Sequence, residues 1–177
     1  YLWRDLSEGI LDEAGAAELL ACFWLKCCEG DESQNLVVGG CDAVGRNSEN
    51  PLSHLCLRVC LDLRVWQPSL SVRLRADSSP ALREAALSLA ATGLGMPSFL
   101  NDPVIIAALE AAGVPSGRAR DYGIVGCYEA SPQGDAMPCT VAGHLLLPAL
   151  FRDYLAGASA DDYAAFEEGF LAYAAER

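Results

Sequence analysis

A cysteine and a glutamate stand two residues apart in Gly126-Cys127-Tyr128-Glu129, directly after the short apolar run Tyr122-Gly123-Ile124-Val125. The run reads as a buried strand, and Gly126 lets the backbone turn at its end. That places the Cys127 thiol at a strand end. Glu129 follows at period-2 spacing, so its carboxylate shares the face of the thiol if the loop stays extended. A thiol and a carboxylate in one site suit chemistry that moves a hydrogen atom and a proton together.

The elements that must position this pair alternate along the chain. The apolar pattern predicts helices at 5–28, 48–65, 80–92, 103–112, 141–156 and 160–175, and strands at 35–39, 69–74, 97–100 and 122–126. Ser79-Pro80 and Asp102-Pro103 give the cap-then-proline order that starts helices, so Asp102 reads as a cap. In the last helix Tyr163, Phe166, Phe170 and Tyr173 fall on one face. Strands alternating with helices imply parallel strands joined by crossover helices, an α/β fold. The strands are nearly all apolar, as strands covered on both faces are. Periodicity leaves an open sheet and a barrel equally possible. Residues 1–177 read as one continuous α/β piece ending in a helical pair, without repeat or linker.

Composition narrows the function. The 177 residues carry a net charge of -12 and are 52% hydrophobic. Disorder is thereby excluded, and the acidic balance argues against nucleic acid or an anionic membrane as partner. No stretch of about 18 uncharged apolar residues occurs, so no membrane-spanning helix is expected. The chain begins at Tyr1 without a methionine, and further sequence upstream is expected. The 8 cysteines lie largely inside apolar helices, which favours reduced, buried thiols in a cytoplasmic protein over a disulfide framework. With no Cys-x-x-Cys pair and only 2 histidines, His54 and His144, a zinc or iron–sulfur site is not expected. His54 reads as structural.

Gly126-Cys127-Tyr128-Glu129 resembles the Gly-Cys-x-Glu loop of the glycyl radical enzymes related to pyruvate formate-lyase. Further blocks resemble the family in the same order. They are Leu11 to Lys26 with Ala16, Glu18, Leu19, Leu20 and Trp24; Asn35 to Gly40 with Asp42 and Gly45; Pro68 to Arg73; and Gly93 to Asp102 with Ala119 to Tyr122. Together they cover roughly residues 8–132.

The resemblance implies a segment of a ten-stranded α/β barrel with the cysteine loop threaded through its middle. An isolated segment of that kind would expose strand edges and half a core. It implies that Cys127 becomes a transient thiyl radical that takes a hydrogen atom from substrate carbon, and that Glu129 is a general base. A closed, partly apolar barrel would raise the Glu129 pKa. Thr140, His144, Ser71 and Phe99 are implied as substrate contacts, with Ser71 and Arg73 on a matched strand that lines the barrel; as residues, Arg73 reads as paired with a carboxylate, and Tyr122 and Tyr128 as packing against the loop. The family keeps its radical in a C-terminal Arg-Val-x-Gly-aromatic loop; no such loop occurs here, since Glu168-Gly169-Phe170 lacks the Arg-Val. The resemblance therefore points to a fragment whose stored glycyl radical lies outside this chain and is installed by an S-adenosylmethionine iron–sulfur activating enzyme. It binds no metal or cofactor of its own and is inactive alone. The intact parent is expected to be a homodimer in an anaerobic bacterium, acting on a small polar substrate as a dehydratase or as a C–N, C–S or C–C lyase.

Three other readings stand beside this one. Formate C-acetyltransferase chemistry needs two adjacent cysteines, and glycine precedes Cys127. A cysteine hydrolase with His144 as base needs a lowered thiol pKa, which a nearby Glu129 opposes. A noncatalytic α/β scaffold is the third. The loop also departs from the family's commonest form at Tyr128 and Ala130, which leaves the substrate open.

Overall fold

The computed structural model describes residues 1–30, 34–134, 146–157 and 162–176. They fall into two compact units, Tyr1–Pro138 and Cys139–Arg177.

In the first unit α1 (Leu2–Ser7) and α2 (Glu13–Cys27) precede β1 (Asn35–Gly39), α3 (Pro51–Leu63), β2 (Ser69–Leu74), α4 (Pro80–Ala90), β3 (Ser98–Asn101), α5 (Asp102–Ala111), α6 (Ser116–Arg120), β4 (Tyr122–Val125) and β5 (Glu129–Pro132). β1, β2 and β3 form a parallel sheet in that order, with α3 and α4 as its crossovers. This is the α/β segment that the resemblance implied. β4 and β5 form an antiparallel hairpin, and β4 packs beside β1.

Local chemistry starts each element. Asn50 caps α3 through Leu52 N–H and Ser53 N–H at 2.9 and 3.3 Å, and the Ser53 hydroxyl answers the Asn50 amide. Ser79 caps α4 through Leu82 N–H at 3.0 Å. Glu49 ties the two caps together. It accepts from the Ser79 amide at 2.9 Å and from the Ser79 hydroxyl, and meets His54 Nε2 at 2.9 Å, a structural role for His54. Burial opposes the Glu49 charge, but these bonds outweigh it and hold the carboxyl below its usual range.

The sheet buries different chemistry on its two faces. Leu70 and Val72 of β2 join Trp24, Leu55, Leu57, Cys60, Leu82, Ala86 and Leu89 in the core under the helices. By strand alternation Ser71 and Arg73 face the other way. There Val37, Leu100, Tyr122, Ile124, Ile105, Ile106 and Leu109 form a second, smaller core.

Three boundaries differ from the sequence expectation. The helix expected over 5–28 breaks, because the Ile10 and Leu11 amides turn back to the Asp5 carbonyl and Asp12 caps a new helix through Gly15 N–H at 2.7 Å. Helix α6 is too short for a periodicity signal. Strand β5 is hidden by its Ser131-Pro132 end.

The second unit holds α7 (Leu147–Gly157) and α8 (Tyr163–Ala175). Asp162 caps α8 through Ala165 N–H at 2.8 Å. Phe151 and Tyr154 meet Phe166 and Phe170 at ring-centroid distances of 5.3–5.7 Å, and Tyr173 packs on Tyr154 at 5.6 Å. Tyr163 is exposed and stands outside this cluster. Among the described residues no helix is long and apolar enough to cross a membrane.

Leu82 of α4 is fully buried in the core under the helices. Leu82→Ala is expected to cost about 2–5 kcal/mol through the lost side chain and the cavity it leaves. Urea unfolding of the chain measures it; a loss no larger than the about 0.5 kcal/mol typical of an exposed site contradicts the placement of this core.

Candidate active site

Cys127 sits at the tip of the β4–β5 hairpin. Val125 pairs with Glu129, leaving Gly126, Cys127 and Tyr128 as the connecting loop. The loop turns sharply at Gly126, where φ is +62°. It is not extended, so the carboxylate reaches the loop by folding back rather than by period-2 alignment. Tyr128 N–H donates to Glu129 Oε2 at 2.9 Å. A Cβ on Gly126 would stand 2.8 Å from the same oxygen, so only glycine leaves the carboxylate its place.

The electrostatics of Glu129 reverse the sequence expectation. The Tyr128 amide, then its own amide, outweigh desolvation and hold the carboxyl below the ordinary glutamate range. The expected rise assumed an apolar wall; backbone amides of the turn stand there instead.

The cysteines separate by environment. Cys27, Cys41, Cys56 and Cys60 are buried, Cys28 is half-buried, and Cys22 and Cys127 are the exposed thiols among the described residues. Burial, with Cys60 nearby, pushes the Cys56 thiol up to about 12, and burial raises Cys60, Cys27 and Cys41 as well. Those four are inert core groups at neutral pH. Among the described residues no group of three metal-ligating side chains is found.

The other expected site residues scatter. Ser71 is fully buried on the sheet face turned toward the hairpin, and its hydroxyl has no partner among the described residues. Phe99 is 45% exposed. It pairs in register with Val72, whose side chain is in the core under the helices, so Phe99 stands on the face opposite Ser71. Tyr122 is buried at the base of the hairpin, while Tyr128, in the loop itself, is 64% exposed. Thr140 and His144 lie outside the described residues.

Two features escaped the sequence reading. Asn35, at the start of β1, brings its Nδ2 to 3.5 Å from the Cys127 carbonyl; it opens the block Asn35 to Gly40, but nothing in the sequence ties it to the hairpin. Asp102 is not the helix cap: Asn101 holds that position, and the second Asp102 oxygen, Oδ2, is buried without a hydrogen-bond partner among the described residues. The residue is buried and pairs with Arg73 Nε at 2.6 Å, which supplies the carboxylate expected for Arg73. The signal was Arg73 itself, a charge inside the apolar strand Ser69–Leu74.

The family model described as pyruvate formate lyase-like matches residues 1–157. The chain belongs to the pyruvate formate-lyase-like family. A probable dehydratase, YbiW of Escherichia coli (strain K12), is 34% identical over 153 residues, which is 76% of this chain and 19% of that protein. Among solved structures, the one described for 1,2-propanediol dehydration in Roseburia inulinivorans is 37% identical with a TM-score of 0.71, covering 75% of this chain and 18% of that one. A glycyl radical enzyme from Archaeoglobus fulgidus is 28% identical with a TM-score of 0.69, covering 76% of this chain and 19% of that one. The chain thus spans less than a fifth of the length of these relatives.

A lowered carboxyl pKa dictates the sign of the pH response. The Glu129–amide contact is fully present above the ordinary glutamate pKa and is lost as pH falls through the lower folded-state value. Hydrogen exchange at the Tyr128 amide, corrected for its intrinsic pH dependence, is therefore expected to lose protection on acidification. In Gly126→Ala the protection is expected to be missing at neutral pH too. Protection that is flat with pH in the native chain contradicts the contact.

Proposed function

We propose that this chain is the cysteine-loop portion of a glycyl radical dehydratase or lyase, acting on a small polar substrate with a hydroxyl next to a leaving group. The observation that carries the reading is an exposed thiol at a hairpin tip, two residues from an ionised carboxylate, in a chain related to dehydratases.

A glycyl radical held outside this chain, installed by a radical S-adenosylmethionine enzyme, would supply the acceptor for the first hydrogen atom. Cys127 gives up its S–H hydrogen. Its sulfur then takes a hydrogen atom from the substrate carbon that bears the hydroxyl, re-forming S–H and leaving the unpaired electron on carbon. Glu129 accepts the hydroxyl proton, and the oxygen-centred charge drives out the neighbouring leaving group with its bonding electron pair. Cys127 returns a hydrogen atom to the product carbon. That leaves the sulfur one hydrogen short again; the hydrogen atom first given up would return to it from the glycine outside this chain, restoring the thiol and the stored radical together. Held low by backbone amides, the Glu129 carboxylate is ionised but weakly basic. Exchanging the Tyr128 amide for a substrate hydroxyl in a water-poor site is the step that makes it a stronger base.

Acyl transfer is disfavoured because residue 126 is glycine and offers no second thiol. His144, the base that the cysteine-hydrolase reading names, lies outside the described residues.

The test uses the intact protein, anaerobic and activated, against a panel of 1,2-diols and other vicinally substituted small molecules. One member is expected to lose water or its substituent. Glu129→Gln is expected to lower kcat about 10²–10⁴-fold while leaving the radical signal in place. Turnover unchanged in Glu129→Gln contradicts the role of the carboxylate.

A further inference from the structure

We propose that Arg73 is the positioning residue of the cysteine hairpin, reaching across the end of β1 to fix the backbone that leads into Cys127. The proposal rests on the reading that Cys127 does the chemistry.

Arg73 is 5% exposed and stands on β2, while the hairpin begins on β4. β1 lies next to β2, with Gly39 opposite Arg73 in register. A normal side chain at the end of β1 would block the way. At Gly40, where φ is +75°, an added Cβ would fall 2.3 Å from Arg73 Nε and 2.7 Å from Cζ. The Gly39-Gly40 pair is therefore a notch through which the guanidinium passes.

Beyond the notch each nitrogen has its own task. Nε donates to Asp102 Oδ1 at 2.6 Å, which neutralises the charge. Nη1 donates to the Tyr122 carbonyl at 3.1 Å, and Nη2 to the Arg120 carbonyl at 2.7 Å. The guanidinium also lies 3.9 Å from the Tyr122 ring centroid. A simple core ion pair needs only Asp102. Here two of the three nitrogens hold main-chain carbonyls on either side of Asp121, at the junction where α6 becomes β4. Pro132, opposite Tyr122 in the hairpin register, has no N–H to offer that backbone. Only a planar fork spans both carbonyls and the carboxylate; a lysine ammonium is a single point.

The test takes the intact protein with Arg73→Lys and with the double variant Arg73→Met/Asp102→Asn, which removes the buried charge along with the fork. Hydrogen exchange is measured by segment, together with kcat, KM and the radical signal. Arg73→Lys is expected to speed exchange in residues 122–132 but not in α2–α4. It is expected to lower kcat about 10²-fold, the scale of a small misplacement of a reacting group, with KM and radical amplitude little changed. The double variant is expected to keep the same loose hairpin and low kcat. The proposal is overturned by native exchange and kcat in Arg73→Lys, by exchange rising equally through α2–α4, or by native kcat in the double variant. If the unmodified protein forms a radical and turns nothing over, the functional reading fails, while the exchange pattern still decides the role of Arg73.

Discussion

A guanidinium taken out of water has to find partners for its donors, and at Arg73 that demand organises one side of the sheet. Its side chain is satisfied only where the ends of β1, β2, α5 and α6 converge, by Asp102, two carbonyls and an aromatic face. Each contributor is thereby constrained. Gly40 must lack a side chain, Asp102 must abandon helix capping, and β4 must enter at one height. Removing one member of such a pair costs about 3–5 kcal/mol because the other charge is left buried. That is a large part of the stability of an ordinary domain.

This constraint carries through to the thiol. From Tyr122 the chain runs through Ile124, anchored in the second core, to the turn at Gly126. The hairpin is held at its base by Arg73, along β4 by apolar packing, and near its tip by Asn35. Cys127 is exposed, but the backbone that carries it is tied at each of these points. A thiol that must exchange a hydrogen atom with a carbon needs such a mount, because the rate of a positioned reaction falls steeply with misplacement. Cys56 and Cys60 sit in the apolar core, where burial suppresses ionisation.

Much of this was legible in the sequence. The β–α–β order and the Ser79 cap follow from local periodicity and capping chemistry, which are short-range properties. The resemblance supplied the family and the barrel. What stayed hidden depends on partners far apart in the chain. Asp102 precedes a proline and looks like a cap; only the fold brings it to Arg73, 29 residues away. Glu129 was expected to be more basic than usual, but the turn folds backbone amides onto it. Phe99 and Ser71 sit on neighbouring strands, yet register and alternation turn them to opposite faces. Strand β5 shows only through its pairing with β4.

The most direct measurement of the central claim is turnover of carbon-deuterated substrate by the activated intact protein, native and Cys127→Ser. The account predicts a primary isotope effect on consumption in the native protein and no turnover in Cys127→Ser, with its radical still formed. Turnover surviving in Cys127→Ser would show that another group takes the hydrogen atom.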